Sequence, residues 1–112
     1  MGDFTWKKIG LIAEIPLRGA RRLCFGHEGS PIAVFRTGAD TFFALIDECP
    51  HRAGPLSEGI VAGETVTCPL HNWVIDLRSG EAASPDEGRA RSLPVRIEAG
   101  ELYVGLPIRE TA

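Results

Sequence analysis

Two short stretches in the middle of the chain decide its fold: CPHRAGPLSEG at residues 49–59 and CPLHNWVIDL at residues 68–77. Together they hold two of the three cysteines and two of the three histidines, as Cys49-Pro50-His51 and Cys68-Pro69-Leu70-His71. The two Cys–His pairs differ in internal spacing, and each has a proline directly after the cysteine. This pattern indicates metal ligands, because buried structural cysteines and core histidines would have no reason to pair twice in loops.

A C-x-H…C-x2-H set is the ligand arrangement of a Rieske [2Fe–2S] centre, in which two thiolates hold one iron and two imidazoles hold the other. We predict that Cys49 and Cys68 bind one iron and that His51 and His71 bind the second. Zinc also accepts two cysteines and two histidines. Zinc fingers, however, usually pair cysteine with cysteine and histidine with histidine along the chain. The predicted chemistry is one-electron transfer, and no side chain is predicted to be catalytic.

Composition predicts a single domain over residues 1–112. Thirteen glycines and eight prolines favour many turns and short strands. A net charge of −3 argues against a nucleic-acid partner. No apolar run approaches the length of a membrane span, and the first residues lack the pattern of a secretory signal. We therefore expect a cytoplasmic protein with reduced thiols and no membrane partner.

Apolar stretches that alternate with turn residues predict an all-β fold. From Asp47 to about Gly88 glycine and proline dominate, and two ligand loops have to converge there on one site. We predict an antiparallel β-sandwich of the Rieske type that carries a small, loop-rich cluster-binding subdomain at about residues 47–88. The predicted strands are Lys8–Ala13, Arg22–Phe25, Ile32–Arg36, Thr41–Ile46, Thr65–Thr67, Val74–Leu77, Leu93–Glu98 and Glu101–Gly105.

The chain resembles Rieske ferredoxin-type domains over nearly its whole length. More narrowly, it resembles the small subunit of assimilatory NAD(P)H-dependent nitrite reductase, through Leu56-Ser57-Glu58-Gly59, His71-Asn72-Trp73 and Pro85-Asp86-Glu87-Gly88. One departure is Arg89, which stands where many members of that subfamily carry a cysteine.

The resemblance implies a [2Fe–2S] electron carrier that is the accessory subunit of an enzyme reducing nitrite to ammonia in nitrate assimilation. Its partner would be a large subunit with NAD(P)H, FAD, a [4Fe–4S] cluster and sirohaem. This chain has no dinucleotide-binding motif, so alone it would not reduce nitrite. The alternative is a free Rieske ferredoxin that passes electrons from a flavin reductase to a ring-hydroxylating oxygenase. A third reading is a redox-sensing adaptor.

Residues around the ligands refine this prediction. Leu70 and Gly54 stand where high-potential Rieske proteins carry cysteines, so no disulfide can join the loops and a low potential within the Rieske range is expected. We expect Pro50, Arg52, Leu70 and Trp73 to frame the point of electron exit. Cys24 and His27 also form a C-x2-H pair, which we interpret as a small buried thiol and a turn histidine.

Replacing one imidazole by a thiolate tests the ligand set. We expect His71→Cys to lower the reduction potential, because a thiolate adds negative charge beside the iron, and to leave the fold intact. A redox titration followed by absorbance measures the shift. An unchanged potential would exclude His71 as a ligand, and loss of folding would mean that the cluster is also structural.

Overall fold

Three antiparallel β-sheets make up the part of the chain that the computed structural model describes, which is residues 4–23, 31–47, 55–69, 72–83 and 88–107. Their strands are β1 Phe4–Leu11, β2 Gly19–Leu23, β3 Ile32–Arg36, β4 Phe42–Ile46, β5 Ile60–Ala62, β6 Thr65–Thr67, β7 Val74–Asp76, β8 Ser92–Leu93, β9 Val95–Glu98 and β10 Glu101–Pro107. The first sheet has the order β1-β10-β9, the second β2-β3-β4-β8 and the third β5-β6-β7. Two short 3₁₀ helices, Ile12–Glu14 and Leu56–Glu58, complete the described elements.

The second sheet is the middle of three layers. On one face, Val34 of β3 packs in a core with Leu102 and Val104 of β10. On the other face, Phe35 of β3 packs in a separate core with Val66 of β6. Because successive side chains of a strand point to opposite faces, one apolar run serves both cores. This explains why Ile32 to Phe35 are all buried, where a strand with one solvated face would alternate.

The all-β prediction is confirmed: the described residues form antiparallel strands and contain no α-helix. The strands Ile32–Arg36 and Thr65–Thr67 have the predicted bounds, and Phe42–Ile46 and Val74–Asp76 are each one residue shorter than predicted. Among the described residues no helix is long and apolar enough to span a membrane.

The predicted strand Leu93–Glu98 is wrong as a single element. Pro94 interrupts it, and the two parts belong to different sheets: β8 pairs with β4, whereas β9 pairs with β10. Proline has no N–H to donate to a ladder, although its carbonyl still accepts a hydrogen bond from the N–H of Gly105 at 2.9 Å. The chain therefore passes from the middle sheet to the first sheet at this residue.

Other differences lie at strand ends and in very short strands. The first strand is Phe4–Leu11 where Lys8–Ala13 was predicted, with a bulge between Lys8 and Gly10, and its pairing with β10 extends to Pro107. The second begins earlier than predicted, at Gly19, and Cys24 and Phe25 lie outside the described residues. Strand β5 was not predicted, because Gly59 and Gly63 flank its three residues and the stretch was interpreted as part of a loop.

Two glycines with positive φ give a matched test of the packing. Gly80 is buried at φ +83°, and a Cβ there would collide with the carbonyl of Ala90, whereas Gly63 at φ +57° has open space. We expect Gly63→Ala to cost about 1 kcal/mol of unfolding free energy, from backbone conformation alone. Gly80→Ala adds overpacking and should cost roughly 3 kcal/mol or more.

Urea unfolding followed by circular dichroism measures both variants. Equal losses of unfolding free energy would contradict the close approach of the Gly80 and Ala90 backbones.

Candidate metal centre

Only one of the four predicted ligands, Cys68, lies within the described residues. Cys49, His51 and His71 lie outside them, as do Cys24 and His27 and three residues of the expected electron exit, Pro50, Arg52 and Leu70. The ligand set as a whole therefore stays a prediction. The described residues on either side of each loop nevertheless define where the two loops start and end.

The second ligand loop is a tight connection between β6 and β7. The N–H of Cys68 donates to the carbonyl of Trp73 at 2.7 Å, which extends the pairing of Thr67 with Val74 by one step. Residues 69–72 are thereby closed into a four-residue loop. Asn72 leaves this loop at φ 58°, in the left-handed region that asparagine adopts more readily than most residues. Cys68 thus lies at the base of the short connection whose sequence contains His71.

The first ligand loop is tied together at its base by Asp47 and Ser57. The Ser57 N–H donates to Asp47 Oδ1 at 2.7 Å, and its hydroxyl donates to Oδ2 at 2.6 Å. The Asp47 N–H donates to the carbonyl of Pro31 at 2.8 Å. Leu56, beside Ser57, is fully buried in the core that also contains Cys68. The two described residues on either side of this loop, Asp47 and Ser57, are therefore joined to each other directly.

The described residues that flank the two loops lie at the same end of the third sheet. The first loop leads into Ile60 at the start of β5, which pairs with Thr67 at the end of β6. Gly59, the residue before Ile60, lies so close to β6 that a Cβ added to it would collide with the Thr67 carbonyl. The residue after Thr67 is Cys68. Gly59, which follows the first loop, is thus in contact with the strand that precedes Cys68.

The surroundings of Cys68 fit a ligand of an iron–sulfur cluster. Its side chain is fully buried in a core with Val61, Val66 and Ile75. Apolar burial raises the free energy of an isolated thiolate, and a metal ion offsets this by taking the charge. Pro69 and Asn72, within and at the end of the same loop, are exposed. Cys68, together with Cys49, His51 and His71, would hold a cluster that supplies one-electron transfer.

Trp73 is the one residue of the expected electron exit that lies within the described part of the chain. It is half-buried and packs against the core that contains Cys68. Within the described residues no group of three or more His, Cys, Asp or Glu side chains is placed to hold another metal ion.

The charges nearest the loop base are paired. Arg22 Nε lies 3.3 Å from Asp47 Oδ2, and the arginine side chain is about half exposed while the carboxylate is fully buried. A separate pair on the first sheet joins Lys8 to Glu101 at 2.7 Å, and their hydrogen bond raises the pKa of Lys8 and lowers that of Glu101. That pair belongs to the layer across the middle sheet from the ligand loops.

Sequence reasoning did not single out Asp47 or Ser57 as functional. The available signal was an aspartate at the end of an apolar strand, two residues before the first ligand cysteine. A charged residue at a position that continues a buried strand needs a partner. Nothing in the sequence identified Ser57 as that partner, ten residues away.

Known proteins match this fold and these loops. A family model described as the Rieske [2Fe–2S] domain matches residues 5–94. The anthranilate 1,2-dioxygenase ferredoxin subunit of Burkholderia cepacia is 38% identical, over 90% of this chain and 92% of that protein.

Two solved structures are also similar. A chain from the complex of reduced oxygenase and oxidised ferredoxin in carbazole 1,9a-dioxygenase has a TM-score of 0.82 at 31% identity, covering 94% of this chain and 97% of that one. A putative NADH-dependent nitrite reductase small subunit from Mycobacterium tuberculosis has a TM-score of 0.81 at 19% identity, covering 97% and 98%. At that identity the second likeness is one of fold.

The family match spans most of the chain and includes both loops, so the expected fold, cofactor and electron-transfer chemistry are confirmed. The chain belongs to the Rieske [2Fe–2S] family and is an electron-transfer protein that binds a [2Fe–2S] cluster.

Proposed function

We propose that this chain is a ferredoxin that passes single electrons from a flavin reductase to a ring-hydroxylating oxygenase. The observation that carries the proposal is the 38% identity to a dioxygenase ferredoxin subunit, which extends over about nine-tenths of both chains. A match of this extent to a carrier protein supports the role of a carrier. The fold likeness to a chain of an oxygenase–ferredoxin complex, at 31% identity, supports the same partner.

The position of the ligand loops is consistent with this role. The described residues that flank them lie at one end of the third sheet, where Pro69 and Asn72 are exposed. Electron transfer between proteins requires that the cluster come close to the partner's own centre. A cluster beside these exposed residues would permit this. The chain would take one electron from the reductase, move, and give that electron to the oxygenase, so a two-electron donor requires two such trips.

The second candidate is the small subunit of an NAD(P)H-dependent nitrite reductase. It is favoured by Leu56-Ser57-Glu58-Gly59 and Asn72-Trp73, which resemble that subfamily. In that case the permanent partner would be a large subunit that binds sirohaem and flavin. The identity to such a subunit is 19%, which supports this candidate less than the 38% identity to the dioxygenase ferredoxin subunit supports the first candidate.

Anaerobic purification from the source cells separates the two candidates. The tagged chain, reduced with dithionite, is mixed in a stopped-flow instrument with the proteins that co-purify with it. We expect its cluster to be reoxidised by a non-haem iron oxygenase. A co-purifying protein with sirohaem absorption that reoxidises the cluster would overturn the oxygenase proposal and favour nitrite reductase.

Charge reversal at Arg52 tests the docking face. We expect Arg52→Glu to lower the second-order rate of electron transfer to the partner about tenfold at low ionic strength and less at high, because it reverses a charge beside a predicted ligand. Arg96→Glu is the matched control. It makes the same change in net charge on β9, in the layer across the middle sheet from the ligand loops.

The rate with Arg96→Glu should stay within about twofold of the wild-type rate, since distant exposed charges are screened. Equal slowing by the two variants would mean that net charge alone controls the encounter. An unchanged rate with Arg52→Glu would remove Arg52 from the docking face.

A further inference from the structure

The β3–β4 hairpin carries a buried polar side chain just beyond each of its two ends, and these are the two fully buried polar side chains among the described residues. At the closed end, Thr37 Oγ1 accepts the N–H of Ala39 at 3.2 Å and of Thr41 at 3.1 Å. This hydroxyl satisfies the backbone of a turn between neighbouring strands. At the open end, Asp47 makes no such local turn, and its carboxylate is bonded to Ser57 instead.

The Asp47 carboxylate uses both of its oxygens on one distant residue. It accepts the backbone N–H of Ser57 at Oδ1 and the hydroxyl of Ser57 at Oδ2, and Arg22 Nε approaches Oδ2 to 3.3 Å. Buried carboxylates require such partners, since an unpaired one is costly to remove from water. The arrangement therefore depends on Ser57 being held in place beside Asp47.

Ser57 is itself held by what surrounds it. It lies in the 3₁₀ turn Leu56–Glu58, where Leu56 is fully buried and the N–H of Gly59 donates to the Leu56 carbonyl at 2.9 Å. Gly59 in turn contacts Thr67, the residue before Cys68. A chain of contacts thus runs from Asp47, two residues before Cys49, to Thr67, the residue before Cys68.

We propose that Asp47 and Ser57 are positioning residues for the cluster. Their hydrogen bonds join Asp47 and Ser57, which lie on either side of the segment that contains Cys49 and His51, and they hold Ser57 near the strand that precedes Cys68. Neither residue is a predicted ligand. Because the ends of the loop are already fixed, less conformational entropy is lost when Cys49 and His51 bind iron. The closed base should therefore slow the release of the cluster.

Three variants separate this role from ordinary stability. Ser57→Ala removes the hydroxyl and keeps the N–H bond to Asp47, and Asp47→Asn keeps the shape of the side chain but removes its charge. Thr37→Ala is the control, since it also removes a hydrogen-bonded side-chain hydroxyl, but at the opposite end of the same hairpin. The readouts are the rate at which cluster absorbance disappears under excess chelator and the thermal unfolding of each iron-loaded protein.

We expect Ser57→Ala to release the cluster about tenfold faster than the wild type, the factor that corresponds to losing one hydrogen bond to a charged group. Asp47→Asn should release it at least as fast, and the double variant should be less damaging than the product of the two single effects, because both remove one interaction. Thr37→Ala should lower the unfolding temperature and leave the release rate unchanged.

Two results would overturn the proposal. One is a wild-type release rate in Ser57→Ala. The other is equal acceleration by Thr37→Ala, which would mean that cluster release follows overall stability. If Asp47→Asn does not fold, Ser57→Ala decides alone, because it retains the carboxylate and its backbone partner. The proposal rests on cluster binding by the family, so its failure is independent of which protein receives the electron.

Discussion

Burial of the β3–β4 hairpin on both faces is the constraint on which the rest of the structure depends. Val34 and Phe35 are neighbours in sequence and fully buried in different cores, one shared with the first sheet and one with the third. Each such side chain contributes roughly 1.5–3 kcal/mol when it leaves water. The hairpin therefore packs against both the first sheet and the third sheet, and neither sheet can shift without disturbing its packing.

The same hairpin relates the fold to the metal centre. Its open end leads through Asp47 into the first ligand loop, and its face packs against the strands that flank the second. Loops on a rigid scaffold can hold reactive groups in fixed positions while remaining accessible to a partner. In this chain, a buried carboxylate fixes the base of one loop, and a backbone hydrogen bond from Cys68 to Trp73 fixes the other.

Much of this could be predicted from the sequence because the signals are local. The two Cys–His pairs indicated the cofactor, and an unbroken apolar run bounded by turn residues predicted the strand Ile32–Arg36 with its observed bounds. Contacts between distant residues could not be predicted in the same way. The Asp47–Ser57 bond and the separation of β8 from β9 at Pro94 depend on which strands meet in three dimensions. Neither leaves a periodic pattern in the chain.

The partner is harder to predict than the cofactor, because any Rieske carrier needs the same four ligands. A fold of this kind can serve different partners, since the same fold hosts many functions. The likeness in fold to proteins of both kinds reflects this: TM-scores of 0.82 and 0.81 accompany identities of 31% and 19%. Sequence identity over the whole chain therefore distinguishes the two partners better than similarity of structure.

Pulsed electron paramagnetic resonance of the dithionite-reduced, iron-loaded protein tests the central claim most directly. Ligation of one iron by His51 and His71 predicts hyperfine coupling to two imidazole nitrogens. Spectra without directly bound nitrogen, or a protein that retains zinc and gives no cluster signal, would contradict a Rieske centre at Cys49, His51, Cys68 and His71.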